Sequence, residues 1–143
     1  MVTMGRETSD ETYVLDLCDE VLGAPGQRQA RFSWLTGDLG RDGRARTLPV
    51  DSYWPQLDLV VEYREIQHDR PVKHFDKPDQ LTVSGVHRGL QRALYDQRRD
   101  EQIPAHGIRL VVIKPAELTS NRQGRLLRHR HEDLRSLRAR LAG

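Results

Sequence analysis

The chain has 143 residues, which is enough for one domain with a hydrophobic core and short for two. Hydrophobic residues make up 36% of the chain, charged residues 31%, and the net charge is only +2, which argues against a membrane protein and against a polycation. The only cysteine, Cys18, cannot form an internal disulfide, and no apolar signal segment opens the sequence. We therefore expect a cytoplasmic, globular protein that does not bind a membrane.

The first predicted element is a helix that begins at Ser9 or Asp10, either of which can cap it. Val14 and Cys18 form an apolar stripe at helical spacing, and the helix is expected to end at the glycine- and proline-containing segment 23–26. Glu11 lies three residues before Val14, so it projects toward the buried side at the helix start. That position is unusual for a carboxylate.

Three strands are predicted next, over residues 30–35, 47–53 and 57–63, with a glycine- and aspartate-containing hairpin loop over 37–43. The third strand has the clearest alternation, with one apolar face and one mixed face. The apolar face consists of Leu57, Leu59, Val61 and Tyr63, and the other of Asp58, Val60 and Glu62.

The second half begins with a charged, proline-containing segment over 64–83, whose length is typical of a functional loop. A helix is predicted over 84–102, a short buried strand over 108–113, and a basic helix over 128–141. The first of these helices is expected to turn Val86, Leu90 and Leu94 inward.

This order of elements predicts an α/β fold with one mixed sheet flanked by helices. Consecutive strands can pair as hairpins, whereas the fourth strand needs the preceding helix as a crossover. We expect a core domain over 9–115, followed by a linker and a basic C-terminal helix over 116–143.

Two carboxylates are candidates for a metal site. Asp51 lies at the end of the second strand, and Glu62 follows eleven residues later on the third, so a hairpin can place both side chains on one face. Neighbouring carboxylates repel unless a proton or a cation neutralises them, and hard oxygen ligands suit Mg²⁺ or Mn²⁺. The alternative is that Asp51 is a turn residue and Glu62 a solvent-facing strand residue.

An imidazole near these carboxylates would supply a base. His68 follows Glu62 by six residues and has an ordinary pKa near neutrality, so it is a candidate general base, with Asp96 on the long helix as a candidate orienting partner. Alternatively, His68 is an exposed loop histidine and Asp96 pairs with Arg92 or Arg99 at helical spacing. The other histidines show no zinc-type spacing with cysteine.

Several segments resemble the small nucleases related to the very-short-patch repair endonuclease, within the PD-(D/E)XK restriction-endonuclease-like group. The resemblance covers residues 9–115 and includes the homing-type branch, which has a Glu, Asp, x-His, Asp constellation. The segments that carry it are Leu48–Pro55, Leu59–Tyr63, Gln67–His68, Arg70–Lys73, Asp96–Arg99 and Gly107–Ile113.

The resemblance implies a restriction-endonuclease-like core that hydrolyses DNA phosphodiesters with Mg²⁺ or Mn²⁺. It makes Asp51 the principal metal ligand, His68 the general base and Asp96 the partner that orients it. Glu11 and Glu62 would hold water on the metal or complete its coordination. The chain departs from the family at Arg64, which stands where the Glu-x-Lys motif has lysine and cannot serve as a base.

Basic residues suggest how DNA would be held. Arginine outnumbers lysine 20 to 3, although a GC-rich genome can produce the same bias. We expect phosphate contacts from basic residues near the site and on the last helix, namely Arg64, Arg70, Lys73, Arg99, Arg128, Arg135 and Arg138. The alternative is that the last helix only packs on the domain, through Leu127, Leu134, Leu137 and Leu141, or mediates a homodimer.

The sequence therefore predicts a metal-dependent DNA endonuclease that either nicks as a monomer or cuts both strands as a dimer. A catalytically silent nuclease-like module, binding DNA or a protein partner in a defence or mobile-element system, is the alternative. An RNA-directed nuclease also stays open. Specificity would come from the 69–83 loop, the 37–43 loop or the last helix, and the sequence does not choose among them.

Overall fold

The computed structural model describes residues 8–66 and 80–142, with the backbone alone for 80–87. In chain order the elements are α1 Asp10–Leu22, β1 Gln27–Leu39, β2 Ala45–Trp54, β3 Leu59–Tyr63, α2 Gln80–Ala105, β4 Arg109–Ile113 and α3 Arg130–Leu141. The four strands form one mixed sheet in the order β1-β2-β3-β4, in which β3 is antiparallel to β2 and parallel to β4. The predicted α/β fold with a mixed sheet is confirmed.

Helix α1 has the predicted ends. Ser9 is its N-cap and accepts a hydrogen bond from the Thr12 amide at 3.0 Å, which satisfies one of the free donors of the first turn. Gly23 ends it with a φ of +74°, a conformation that glycine adopts without strain, and donates its amide to the Asp19 carbonyl at 2.9 Å. The inward face includes the predicted Val14 and Cys18, both fully buried.

Strand β3 is the central element of the sheet, and all five of its residues are buried. The prediction that this strand begins at Leu57 is wrong. Pro55 starts a short 3₁₀ turn that runs to Leu57, and Asp58 takes a φ of +49°, so Leu57 turns outward and is 47% exposed. The parallel pairing of β3 with β4 fits the predicted helical crossover, because parallel neighbours need a long connection.

The described residues divide into two compact units. The first comprises 8–30, 49–66 and 108–142, and the second comprises 31–48 and 80–107. The core of the first unit lies between α1, β3, β4 and α3, where α3 contributes the predicted Leu134, Leu137 and Leu141. Leu127 was predicted to join them but is 49% exposed, because it precedes the helix in a segment where its amide donates to the Thr119 carbonyl.

In the second unit, the predicted inward face of α2 is wrong. Leu90 and Leu94 are 57% and 48% exposed, and the side chain of Val86 lies outside the described residues. The face that packs is offset by about one residue. It includes the fully buried Ile103, together with Tyr95, Asp96, Arg98, Arg99 and Gln102, all half-buried. Helix α2 also begins earlier and ends later than predicted.

Strand β1 runs past Gly37 to Leu39, so the predicted hairpin loop over 37–43 shrinks to a turn over 40–44. Gly37 serves a close approach and not a turn, since a Cβ there would lie 2.8 Å from the Tyr95 hydroxyl. That hydroxyl accepts a hydrogen bond from the Asp38 amide at 3.0 Å. On β1 the rings of Phe32 and Trp34 stack at 4.6 Å.

No helix in the part of the chain that the structure describes is long and apolar enough to cross a membrane.

Candidate active site

The candidate site lies where the pairing of β2 with β3 stops. The paired residues run from Trp54↔Leu59 to Ser52↔Val61, and one step further Asp51 stands opposite Glu62. There the Asp51 amide donates to Glu62 Oε2 at 2.9 Å, and the Tyr63 amide donates to Asp51 Oδ2 at 2.7 Å. Two carboxylates thus replace the carbonyl oxygens that would accept these bonds in a regular ladder.

Glu62 is only 4% exposed, so the alternative that it is a solvent-facing strand residue is wrong. Its burial follows from the position of β3 between β2 and β4. The Arg64 guanidinium, itself 16% exposed, lies 3.5 Å from Glu62 Oε1. A cation beside a buried carboxylate offsets part of the cost of removing that charge from water.

Glu11 shares the electrostatic environment of Asp51. Burial raises the pKa of the Glu11 carboxyl, the negative charges of Asp51 and Glu65 raise it further, and the positive charge of Arg28 opposes them. The side chain is half-buried at the start of α1, as the sequence predicted. Glu11, Asp51 and Glu62 therefore belong to one acidic region of the first unit.

Arg28 is a residue of this region that sequence reasoning missed. Its guanidinium donates to Ser52 Oγ at 2.9 Å, to Asp19 Oδ2 at 2.8 Å and to Asp16 Oδ1 at 3.1 Å, which ties α1 to the strand that carries Asp51. Gly26 permits this approach, because a Cβ there would lie 2.3 Å from Ser52 Oγ. The signal in the sequence was two aspartates three residues apart on α1, followed by an arginine at the start of β1.

The remaining predicted catalytic residues are placed as follows. His68 lies outside the described residues, as do Arg70 and Lys73. Asp96 belongs to the second unit, where it forms an ion pair with Arg99 at 2.9 Å, the pairing that the sequence offered as the alternative to a catalytic role. The Arg99 side chain is 15% exposed.

The basic residues of the C-terminal segment divide into two groups. Arg128 donates to Asp10 Oδ1 at 3.0 Å and lies over the Tyr13 ring at 5.1 Å, so it stabilises the start of α1. Arg135 and Arg138 are exposed on α3. The exposed pair is better placed to contact a phosphate than Arg128 is.

Within residues 8–66 and 80–142, no group of three or more histidine, cysteine, aspartate or glutamate side chains is arranged to hold a metal ion. Comparison of the chain with protein-family models, with curated proteins and with solved structures yields no match.

Proposed function

We propose that the chain is a metal-dependent DNA endonuclease with a restriction-endonuclease-like core. The observation that carries the proposal is a pair of hydrogen bonds, from the Asp51 amide to Glu62 and from the Tyr63 amide to Asp51, which holds these two acidic side chains at facing positions of β2 and β3. Carboxylate oxygens are ligands that Mg²⁺ and Mn²⁺ accept, and a cation would offset the negative charge of two acidic side chains at facing strand positions.

The chemistry of the donor set fits such an ion. Asp51 and Glu62 would hold it, and Glu11 would complete the coordination. Burial is the first cause of the raised pKa of Glu11, and the second is the negative charge of Asp51 and Glu65, which a divalent cation would offset. The bound ion would supply positive charge that stabilises the negative charge developing on the phosphodiester. The described residues offer two or three of the ligands, and the rest of the coordination would come from elsewhere or from water.

The remaining roles fall to groups of the chain itself. We assign to His68 the removal of a proton from the attacking water, and to Asp96 the orientation of that imidazole. Exposed Arg135 and Arg138 would bind phosphates, together with Arg70 and Lys73. Arg64, Arg99 and Arg128 would contribute less, because each is already engaged with a carboxylate of the chain.

A second candidate function has one observation in its favour. The Arg64 guanidinium stands beside the buried Glu62 and supplies positive charge there without a metal. A catalytically silent nuclease-like module, binding DNA or a protein partner within a defence or mobile-element system, would need no more than this. The same chain would then bind its partner and leave the phosphodiester intact.

Cleavage of a supercoiled plasmid tests both candidates. Purified wild-type chain, Asp51→Asn and His68→Ala are compared in Mg²⁺, in Mn²⁺ and in a chelator, with Asp58→Asn and His131→Ala as matched controls at exposed positions. We expect the site variants to lose at least about 100-fold in rate and the controls to keep full activity. Nicked and linear products separate monomeric nicking from dimeric cutting, and a parallel RNA substrate tests the choice of nucleic acid.

Two results would contradict the proposal. Cleavage that persists unchanged in both Asp51→Asn and His68→Ala removes this site from the reaction. A wild-type chain that binds DNA but does not cut it in either metal supports the silent module.

A further inference from the structure

The turn between β1 and β2 carries an exposed arm, which we define as residues 38–46. Every residue of the arm is exposed, and its conformation is fixed by backbone hydrogen bonds. The Gly40 amide donates to the Arg44 carbonyl at 2.8 Å, and the Gly43 amide donates to the Gly40 carbonyl at 3.0 Å. Gly43 has a φ of +79°, which the turn requires. The arm is therefore a defined two-stranded ribbon with a tight end.

The arm carries three arginines and two aspartates, and both aspartates accept hydrogen bonds from groups of the chain. Asp38 accepts from Arg98 at 3.1 Å, and Asp42 accepts from the Arg44 amide at 3.0 Å. Arg41, Arg44 and Arg46 are exposed, and across the described ranges none of their guanidinium groups forms an ion pair or a hydrogen bond. Leu39, 69% exposed, adds an apolar side chain beside them.

We propose that the arm binds in the major groove of duplex DNA, an inference that rests on the proposed function and identifies the part of the chain that reads the substrate. Neighbouring strands lie about 4.8 Å apart, so a two-stranded ribbon fits a groove about 12 Å wide and not one about 6 Å wide. Arginine suits the two acceptors of guanine in that groove, and an apolar side chain suits the thymine methyl group.

The dimensions of the groove also separate DNA from RNA. The major groove of A-form RNA is deep and narrow, so side chains cannot read it. The ribbon with its three arginines, Arg41, Arg44 and Arg46, is therefore matched to B-form DNA. This chooses one of the three segments that the sequence left open for specificity, the hairpin between β1 and β2.

Binding without a metal tests the inference separately from cleavage. The affinity of a fluorescent DNA duplex is measured by anisotropy in a chelator, for wild-type chain, for R41Q/R44Q and for the charge-matched control R122Q/R125Q, whose arginines are exposed in another part of the chain. We expect the arm variant to bind at least about tenfold more weakly, because two arginine contacts in the major groove are lost. The control should change affinity by less than about threefold, since it removes only general attraction.

Three further probes test whether the arm binds in the major groove. Methylation of guanine N7, an acceptor in the major groove, should weaken binding by wild-type chain and have little effect on binding by R41Q/R44Q. A minor-groove ligand such as netropsin should not displace the chain, and a duplex RNA of the same sequence should compete poorly.

The contrary results are distinct from those for the proposed function. Equal losses in R41Q/R44Q and R122Q/R125Q, displacement by netropsin, or no DNA binding by wild-type chain would overturn the arm inference. Arm-dependent binding without any cleavage by wild-type chain would overturn the endonuclease and leave the arm in place.

Discussion

The carboxylate of Glu62 accepts a hydrogen bond from the backbone amide of Asp51, and Asp51 in turn accepts one from the amide of Tyr63. Each acidic side chain is thereby held by the backbone of the neighbouring strand, at the first position beyond the regular pairing of β2 with β3. These carboxylates stabilise the sheet, whatever else they bind. A substitution that tests chemistry must therefore keep a hydrogen-bond acceptor at the same place.

Asp51 allows the structural and chemical roles to be separated. Asp51→Ala leaves the Tyr63 amide without its acceptor, and we expect a loss of about 1–3 kcal/mol in the free energy of unfolding. Asp51→Asn keeps an amide oxygen and should lose less, while both variants lose cleavage. Urea denaturation of the two variants, with Asp58→Asn as a control, measures the difference. If Asp51→Ala were as stable as wild-type chain, the hydrogen bond from the Tyr63 amide would contribute nothing to the free energy of unfolding.

Glu11 should make stability depend on pH. Its pKa is raised from the ordinary value of 4.5, first by burial and then by Asp51 and Glu65, so the folded state holds the proton more tightly than the unfolded state does. The stability that this gives is fully present below the unfolded pKa and is lost as the pH rises through the folded pKa. Glu11→Gln should therefore melt higher than wild-type chain at pH 7, and the gap should close below about pH 4.5.

The control for Glu11 is Glu101→Gln, an exposed position whose melting temperature should follow wild-type chain at every pH. Direct titration of the Glu11 carboxyl by NMR adds a second readout. We expect Asp51→Asn to lower the pKa of Glu11, because it removes a neighbouring negative charge. Under the proposed function Mg²⁺ lowers it as well. A Glu11 pKa insensitive to both changes would separate Glu11 from the site.

The parts of the fold that local chemistry determines could be predicted from the sequence. Ser9 and Gly23 define the ends of α1 because a capping hydroxyl and a left-handed glycine act within one turn. The face of α2 could not be predicted in the same way. Leu90 and Leu94 have the right spacing, but the helix packs through Tyr95 and the polar side chains near it. Which face of a helix is buried depends on the element that packs against it, and the helix sequence alone does not specify that element.

The candidate site could be predicted in part for the same reason. Spacing on a hairpin indicated that Asp51 and Glu62 would share a face, but the hydrogen bond from the Asp51 amide to Glu62 depends on the register, which one residue of slip would change. Arg28 was missed because its partners lie on α1 and β2, and no local pattern joins those segments. The burial of Asp133 could not be predicted from the sequence either, since the sequence around it is among the most basic in the chain.

Asp133 is expected to be the most sensitive acidic residue for stability. It is fully buried and accepts from the Tyr13 hydroxyl at 2.5 Å, from the Thr119 amide at 2.8 Å and from the Thr119 hydroxyl at 3.0 Å, so it joins α3 to α1 and to the preceding loop. Removing it leaves several buried donors without acceptors. We expect Asp133→Ala to lose more than about 3 kcal/mol in the free energy of unfolding.

A cycle of Tyr13→Phe, Asp133→Ala and the double variant isolates the hydrogen bond between the two side chains, because each substitution removes one partner of the bond. We expect a coupling of about 1.5–3 kcal/mol, as for hydrogen bonds to charged groups. Glu132, the exposed residue next to Asp133, provides the control. Glu132→Gln should change the free energy of unfolding by less than about 0.5 kcal/mol. Additive effects of Tyr13→Phe and Asp133→Ala would show that the bond contributes nothing of its own.

Arg28 combines a structural and an electrostatic role that two substitutions can separate. Its planar guanidinium reaches Asp16, Asp19 and Ser52 at once, which the single ammonium group of lysine cannot do. Arg28→Lys should therefore lower the melting temperature but keep the positive charge that restrains the pKa of Glu11. Arg28→Met should lower the melting temperature and also raise the pKa of Glu11 further, because its opposing charge is gone. Melting curves and NMR titration of Glu11 check both, with the exposed Arg125→Met as the control, and an unchanged Glu11 pKa in Arg28→Met would show that the two charges do not interact.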